Sequence, residues 1–237
     1  SVTDQSGNGN NFTVGSGTLT KTEDCPSNVF ATWNALDNYY PSHTLSYGNT
    51  RLVFNTNNEA FINSSLGMDS GKFYMELKNT AYSAGHNYAG VSYSSPDATS
   101  DWLGNNSYSW GYRTDGKVYN GASLQATYSS FTANDIIGVA LDMDNNKLYF
   151  SKNGTWQNSA DPAAGSNGIS ITAGKTYFFA TGKTGANSGQ KVVGNFGNGY
   201  FQTTAVSSAG TNASNNGIFE YDVPAGFTAL STKGLNL

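Results

Sequence analysis

The stretch that decides the fold is residues 135–154, DIIGVALDMDNNKLYFSKNG. Its apolar side chains recur at every second position on either side of a central polar turn, at Ile137, Val139, Leu141, Met143, Leu148 and Phe150. A period of two is the pattern of a β-strand with one buried face. The stretch therefore predicts two antiparallel strands joined by a tight turn.

The turn itself predicts a register. Asparagine tolerates a positive φ, so Asn145-Asn146 is expected to form a two-residue hairpin loop. Asp144 then faces Lys147 and Met143 faces Leu148, which matches acid with base and apolar with apolar. A one-residue slip would break both matches, since it moves every side chain to the other face.

A second hairpin is predicted at Asp115-Gly116, a strong signal for a type I′ turn. The two-residue loop would pair Arg113 with Val118 and Tyr112 with Tyr119. Trp110 alternates with Tyr112 on one strand face, so we expect Trp110 to lie in the core.

Further short strands are expected at residues 51–54, 71–79, 88–93, 108–112, 176–181 and 191–196. In the strand at 71–79, the apolar residues including Phe73 and Leu77 share one face, and Glu76 shares the other with two lysines, which predicts a solvated surface. No stretch of a dozen residues keeps a helical period. Many short strands separated by Asn-Gly turns predict an all-β sandwich or barrel.

Composition excludes several classes of protein. Charged residues make up 12% of the 237, against about 25% in average globular domains. The net charge of -4 disfavours nucleic-acid binding, which needs a basic stripe. The apolar runs are far too short for membrane insertion. One cysteine, Cys25, excludes an internal disulfide, and two histidines leave little material for a metal site, so we expect neither metal nor cofactor.

The flanks of the chain differ from its middle. Residues 1–50 are loop-like and are predicted to be an extension or linker after an upstream module. Residues 51–237 are predicted to form the sandwich, with a Ser/Gly/Asn-rich exposed loop at residues 203–217. Because the sequence starts at Ser1 and has no signal-peptide pattern, we expect a piece of a longer chain.

The middle of the chain resembles the SPRY (B30.2-like) domain family. The blocks that carry the resemblance are GKFYME at 71–76, AGVS at 89–92, SWGYRTDGK at 109–117, DIIGVALDMD at 135–144 and KLYFSKNG at 147–154. Their order and spacing look like that family over residues 50–200. The resemblance implies a concanavalin A-like bent β-sandwich of two antiparallel sheets, used for binding and not for catalysis.

The flanks resemble segments of bacteriophage appendage proteins. These are DQSGNGNNF at 4–12, DCPSNVFATWN at 24–34 and YDVPAGFTALSTK at 221–233. They imply an extracellular virion protein, a tail fibre, appendage or capsid decoration, that attaches to other virion proteins or to a host-surface glycan. Phage fibres are usually trimers, so a homo-oligomer is expected. The alternatives are a secreted bacterial surface adhesin and a polysaccharide depolymerase.

Candidate chemistry is sparse. Asp142 opens a stretch like a calcium loop, but position six is Lys147 and position twelve is Asn153, where an EF-hand needs Gly and Glu. A glycosidase needs two carboxylates within about 5–10 Å, and no two of the four glutamates are close in sequence. The expectation is a protein with no catalytic residues.

The aromatic residues are the candidates for binding. Exposed Trp and Tyr bring a large contact area at low entropic cost. Trp102 and Tyr108 lie in or beside a predicted loop, Arg113 precedes a turn and Trp156 follows one. We predict that these four residues form a binding surface at the loop end of the sandwich. The competing interpretation is that each tryptophan packs in the core.

Overall fold

A computed structural model describes residues 6–11, 13, 15, 24–37, 43–81, 85–97, 101–185, 188–212 and 214–236. Two 3₁₀ turns lie at Gln157–Ser159 and Gly234–Asn236, and the rest of the regular structure is β. The strands are β1 (His43–Ser46), β2 (Arg51–Phe54), β3 (Ala60–Asn63), β4 (Lys72–Ala81), β5 (His86–Ser92), β6 (Ser109–Arg113), β7 (Lys117–Asn120), β8 (Ser123–Thr127), β9 (Ile136–Asp142), β10 (Lys147–Lys152), β11 (Thr155–Trp156), β12 (Ile169–Ser170), β13 (Phe178–Thr184), β14 (Gln190–Asn195), β15 (Tyr200–Phe201), β16 (Thr204–Ala205) and β17 (Thr228–Ala229).

The strands form two large sheets. The nine-stranded sheet has the order β1-β2-β14-β4-β9-β10-β11, with β12 beside β10 and β17 beside β4. The six-stranded sheet has the order β3-β13-β5-β6-β7-β8. Pairing is antiparallel except between β17 and β4, and β15 and β16 form a separate hairpin. The predicted all-β sandwich of two antiparallel sheets is confirmed.

The main core fills the space between the sheets. The nine-stranded sheet contributes the apolar face of β4 and β9, which includes Phe73, Leu77 and Leu141. The six-stranded sheet contributes Trp110 and Tyr112 from β6. Trp110 is 4% exposed, so its predicted place in the core is confirmed.

The deciding hairpin keeps its predicted faces but not its predicted register. Lys147 pairs with Asp142 and Leu148 with Leu141, so the loop has four residues and not two. The cause is the Asp142 carboxylate, which accepts hydrogen bonds from the backbone and side-chain nitrogens of Asn145, both at 2.9 Å. It also pairs with Lys72 of β4 at 3.0 Å. A shift of two residues leaves every side chain on its own face.

The second hairpin differs from the prediction by one residue. Tyr112 pairs with Val118, and Tyr119 pairs with Gly111. The backbone N–H of Gly116 donates to the Arg113 carbonyl at 2.8 Å, and Gly116 has a φ of 91°, a left-handed conformation that glycine adopts without strain. Since the slip is by one, Tyr112 faces the core while Tyr119 faces outward.

The outer face of β4 is covered by the chain itself. The C-terminal cover, residues 218–231, lies across the nine-stranded sheet and places Phe219 5.0 Å from Tyr74 in an edge-on contact. Backbone N–H groups of Glu220 and Tyr221 each donate to the Glu76 carboxylate at 2.9 Å. Glu76 is 0% exposed, so the predicted solvated strand surface is wrong.

The segment before residue 50 also joins the sandwich. Trp33 is fully buried and its indole N–H donates to the Thr50 carbonyl at 2.9 Å. The Ala31 backbone N–H donates to the Leu230 carbonyl at 2.9 Å, which ties this segment to the C-terminal cover. The boundary at residue 50 between extension and sandwich stays a prediction. Most described residues of the 203–217 stretch are exposed.

Candidate binding surface

Two glycines leave space on the outer face of the six-stranded sheet, and we call them the glycine floor. Gly111 of β6 and Gly182 of β13 have no side chains to fill this face. The loop at residues 101–106 lies down on them instead. A Cβ at Gly111 would lie 2.2 Å from the Leu103 carbonyl oxygen, and one at Gly182 would lie 3.2 Å from the Leu103 Cβ. Leu103 is therefore fully buried and fixes its neighbour Trp102 at the surface.

Trp102 is held between two tyrosines. Its ring lies 5.6 Å from that of Tyr88 and 5.3 Å from that of Tyr119, the latter edge-on at 89°. Arg113 stacks on the same Tyr119 ring, with its guanidinium carbon 4.8 Å from the centroid. We call these four residues, Tyr88, Trp102, Arg113 and Tyr119, the aromatic patch. Two of the four predicted site residues, Trp102 and Arg113, thus meet through Tyr119.

Arg113 is fixed by a two-pronged contact with Asp115. Its Nε and Nη2 donate to the two carboxylate oxygens at 2.8 and 2.6 Å. These hydrogen bonds lower the pKa of Asp115 to about 2 and raise that of Arg113. Both groups therefore stay charged across the physiological range, and Arg113 presents a rigid guanidinium face over Tyr119.

Tyr108 lies beside the patch with its hydroxyl already engaged. The hydroxyl donates to Asp101 and lies 3.2 Å from Asp97, while Asn106 donates to it at 2.9 Å. Burial, followed by the Asp101 contact, raises the pKa of Tyr108. Its ring packs 6.5 Å from that of Phe61. Tyr108 thus shapes the loop that carries Trp102, and its hydroxyl is committed to that loop.

Trp156 lies on the other side of the sandwich. It belongs to β11 of the nine-stranded sheet, and its ring is 6.3 Å from that of Tyr74, on the face under the C-terminal cover. The structure therefore brings Trp102, Tyr108 and Arg113 to one face and separates Trp156 from them. A single loop-end surface made of all four residues does not exist.

Sequence reasoning missed Tyr119 and Leu124. Tyr119 links Trp102 to Arg113, and Leu124 of β8 pairs with Tyr119 and is 53% exposed. Leu124 extends the apolar surface to the edge of the sheet. The predicted hairpin register hid Tyr119, because it placed this residue on the same face as Tyr112. A three-residue loop, Thr114 to Gly116 with the glycine in its third position, would have predicted the observed register and an outward-facing Tyr119.

Metal binding finds no support in the part of the chain that the structure describes. It holds no group of three or more His, Cys, Asp or Glu side chains close enough to share an ion. Both oxygens of Asp142, the residue of the calcium-like stretch, are already engaged, by hydrogen bonds from Asn145 in the hairpin turn and by the ion pair with Lys72.

No described helix has the length and apolar character needed to cross a membrane.

The two packed antiparallel sheets define a β-sandwich domain with one outer face partly covered by a loop. The model of the SPRY domain family matches residues 72–198, over half of the chain. This chain belongs to the SPRY domain family. The resemblance seen in the sequence blocks is thereby confirmed, and members of this family are typically interaction modules without catalytic function.

A solved structure and a curated protein extend the comparison. The fold is similar to the SPRY domain of human HERC1, with a TM-score of 0.57 at 23% identity, over 68% of this chain and 96% of that one. A stretch of 94 residues, 39% of this chain, is 34% identical to the dual specificity protein kinase splA of Dictyostelium discoideum. The match spans 4% of that kinase.

Proposed function

We propose that this chain is a non-catalytic binding module that recognises a protein partner through the aromatic patch. The observation that carries the proposal is the convergence of Trp102 and Arg113 on Tyr119 at a partly exposed surface. Trp, Tyr and Arg are the residue types that dominate binding energy at protein interfaces. Membership of the SPRY family supports the same class of function.

The patch is already ordered before a partner arrives. Arg113 is held by Asp115, and Trp102 is held by Leu103 beneath it and by the flanking tyrosine rings. Ordering a long side chain on binding costs roughly 0.5–1.5 kcal/mol, and a fixed side chain avoids most of that cost. Exposed Leu124 adds an apolar margin to the patch. The partner that fits best is therefore a peptide segment with an apolar side chain, flanked by groups that accept hydrogen bonds from Arg113.

A selection from a displayed peptide library tests this proposal. Peptides enriched on the wild-type chain should bind Trp102→Ala or Tyr119→Ala at least about tenfold more weakly, since tenfold equals 1.4 kcal/mol. Trp156→Phe, on the opposite face, is the matched control and should bind as the wild type does. Peptides that bind Trp102→Ala and the wild type equally would refute the patch as the binding site.

We further propose that the module serves in an extracellular phage virion, as a tail fibre, appendage or capsid decoration. The support is the resemblance of residues 24–34 and 221–233 to segments of such proteins. Its partners would then be other virion proteins or a host-surface glycan, with a homo-oligomer, by analogy a trimer, as the working state. Neighbouring capsid and tail genes would favour this role. Their absence would favour the bacterial adhesin, and cleavage of polysaccharide by the purified chain would favour the depolymerase.

A further inference from the structure

A cleft lies at the turn between β1 and β2, at one end of the nine-stranded sheet. Three segments build it: residues 24–32, the turn between β1 and β2, and residues 198–203. Its volume is 280 Å³, close to the lower end of the range of roughly 300–1,000 Å³ for small-molecule sites. The cleft therefore has room for one small ring and not for a folded partner.

Two tyrosines line the cleft from different segments. Tyr47 comes from the β1–β2 turn and is 49% exposed, and Tyr200 comes from β15 and is partly buried. Tyr47 has a φ of 54°, a left-handed conformation that is unfavourable for a bulky residue. The fold thus accepts local strain to place an aromatic ring at the mouth of this cleft.

One residue of the lining carries an acceptor without a partner. Asn198 lines the cleft, and its Oδ1 is buried without a hydrogen-bond partner among the described residues. A buried polar atom left unpaired is costly, and such an atom calls for a donor from elsewhere. Asp24 also lines the cleft; its Oδ1 accepts from the Phe30 backbone N–H at 2.9 Å and anchors this wall.

The charge of the lining narrows the ligand class. Asp24 is the single charged residue among the described residues of the lining, and Lys and Arg are absent from that set. An anionic ligand such as a phosphate or an acidic sugar would meet a carboxylate with no cation to offset it. The ligand must therefore be neutral or cationic, and it must donate hydrogen bonds.

The remaining polar groups favour a neutral ligand. Thr32, Gln202 and Thr203 offer hydroxyl and amide groups that both donate and accept. A cation uses acceptors only, whereas a polyol ring uses donors and acceptors together. A sugar ring also presents apolar C–H groups that pack on tyrosine faces. We propose that this cleft binds one ring of a neutral saccharide, stacked on Tyr47 and Tyr200 and hydrogen-bonded to Asn198.

The cleft and the aromatic patch share no residues, so a negative result for sugar binding leaves the proposal of peptide binding untouched, and the reverse also holds. The test is NMR titration of the ¹⁵N-labelled chain with neutral hexoses and N-acetylhexosamines, each tested singly, and with an arginine-containing dipeptide. We expect a saturable shift of the amide signals of Gly48, Asn198 and Gln202 with at least one neutral sugar. Signals of the aromatic patch should stay in place.

Two variants remove the proposed contacts without breaking the turn. Tyr47→Asn keeps a residue that tolerates positive φ, and Tyr200→Ala removes the second ring. Each should weaken binding of the sugar by about tenfold or more. Thr127→Ala, exposed at the end of β8 on the other sheet, is the control and should leave the affinity unchanged.

The opposite results would overturn the proposal. Absence of cleft shifts with every neutral sugar refutes it, as does binding of the arginine dipeptide alone. Sugar binding that persists in Tyr200→Ala variants with a wild-type spectrum places the ligand elsewhere and also refutes it. Far-UV circular dichroism and the dispersed amide spectrum check that each variant is folded.

Discussion

The carboxyl group of Glu76 is expected to control how firmly the C-terminal cover stays on the sheet. It is fully buried and accepts from the backbone N–H groups of Glu220 and Tyr221 and from the side chains of Asn195 and Tyr74. Glu76→Ala leaves two backbone donors without an acceptor. Each orphaned buried donor costs about 1–3 kcal/mol. The free energy of unfolding should therefore fall by about 2–6 kcal/mol, a large share of the 5–15 kcal/mol typical of a domain.

The same group makes stability depend on pH. Burial raises the pKa of Glu76 from 4.5 to about 7, against the opposing effect of its hydrogen bonds. Between these two values the folded chain keeps a proton that the unfolded chain has released. Stability contributed by this proton is complete below pH 4.5 and is lost as the pH rises to about 7, a total of about 3 kcal/mol.

Urea unfolding followed by tryptophan fluorescence at several pH values between about 5 and 8 measures both effects. Wild type should lose stability as the pH rises through this window. Glu76→Gln should lack the slope, and Glu76→Ala should lack the slope and have a lower midpoint. Glu220→Gln is the matched control, because the Glu220 carboxylate bonds to Ser207 near the surface. A wild-type stability that is flat with pH, together with an unchanged midpoint in Glu76→Ala, would refute the reasoning.

Three further predictions concern the loop on the glycine floor and the deciding hairpin. Leu103→Ala should cost about 2–5 kcal/mol in urea unfolding, because it empties a fully buried site; a loss under 1 kcal/mol would show that the loop collapses to fill it. Gly111→Ala places a Cβ 2.2 Å from the Leu103 carbonyl, so it should displace the loop and change the fluorescence of Trp102, measured against Trp102→Phe; unchanged spectra would contradict the close approach. Hydrogen bonds from Asn145 and Lys72 lower the pKa of Asp142 despite its burial, so this carboxylate stabilises the fold above its ordinary pKa of 3.8 and the benefit disappears as the pH falls. Asp142→Asn should therefore be less stable than wild type at pH 7, with a gap that closes in acid; a constant gap would argue against the ion pair with Lys72.

Local alternation predicted the faces of the deciding hairpin but could not predict its register. The face on which a side chain lies depends only on whether its position along the strand is odd or even. A register shift of two residues does not change this, so Leu141 and Leu148 are buried as expected. The register depends on Asp142, whose carboxylate is engaged by Asn145 and by Lys72 from a different strand. A partner about 70 residues away is invisible to a pattern within one hairpin.

Distance along the chain also explains the error at Glu76. The alternation of β4 correctly marked two faces, but it could not show that residues 218–231 cover the outer one. A charged residue on a covered face looks the same in sequence as one on a wet face. The clue in hindsight is Tyr74, a large aromatic residue on the same face, which is fully buried.

The candidate site was predictable in part. Trp102 and Arg113 were chosen for residue type and position near turns, and they do lie together. Trp156 was chosen by the same rule and lies on the other sheet, because strand order is set by long-range pairing. Tyr119 was missed through a one-residue register slip, which reverses the face of a side chain.

Hydrogen bonds between residues near the two ends of the described chain can form only late in synthesis. Val29 donates its backbone N–H to the Thr232 hydroxyl across 203 positions. A ribosome adds about 5–20 residues per second, so the nascent Val29 waits roughly 10–40 s for this partner to be made. Once β4 has been made, its outer face, with Tyr74 and Glu76, has no cover until residues 218–231 follow. We therefore expect the nascent chain to expose this face until β17 emerges.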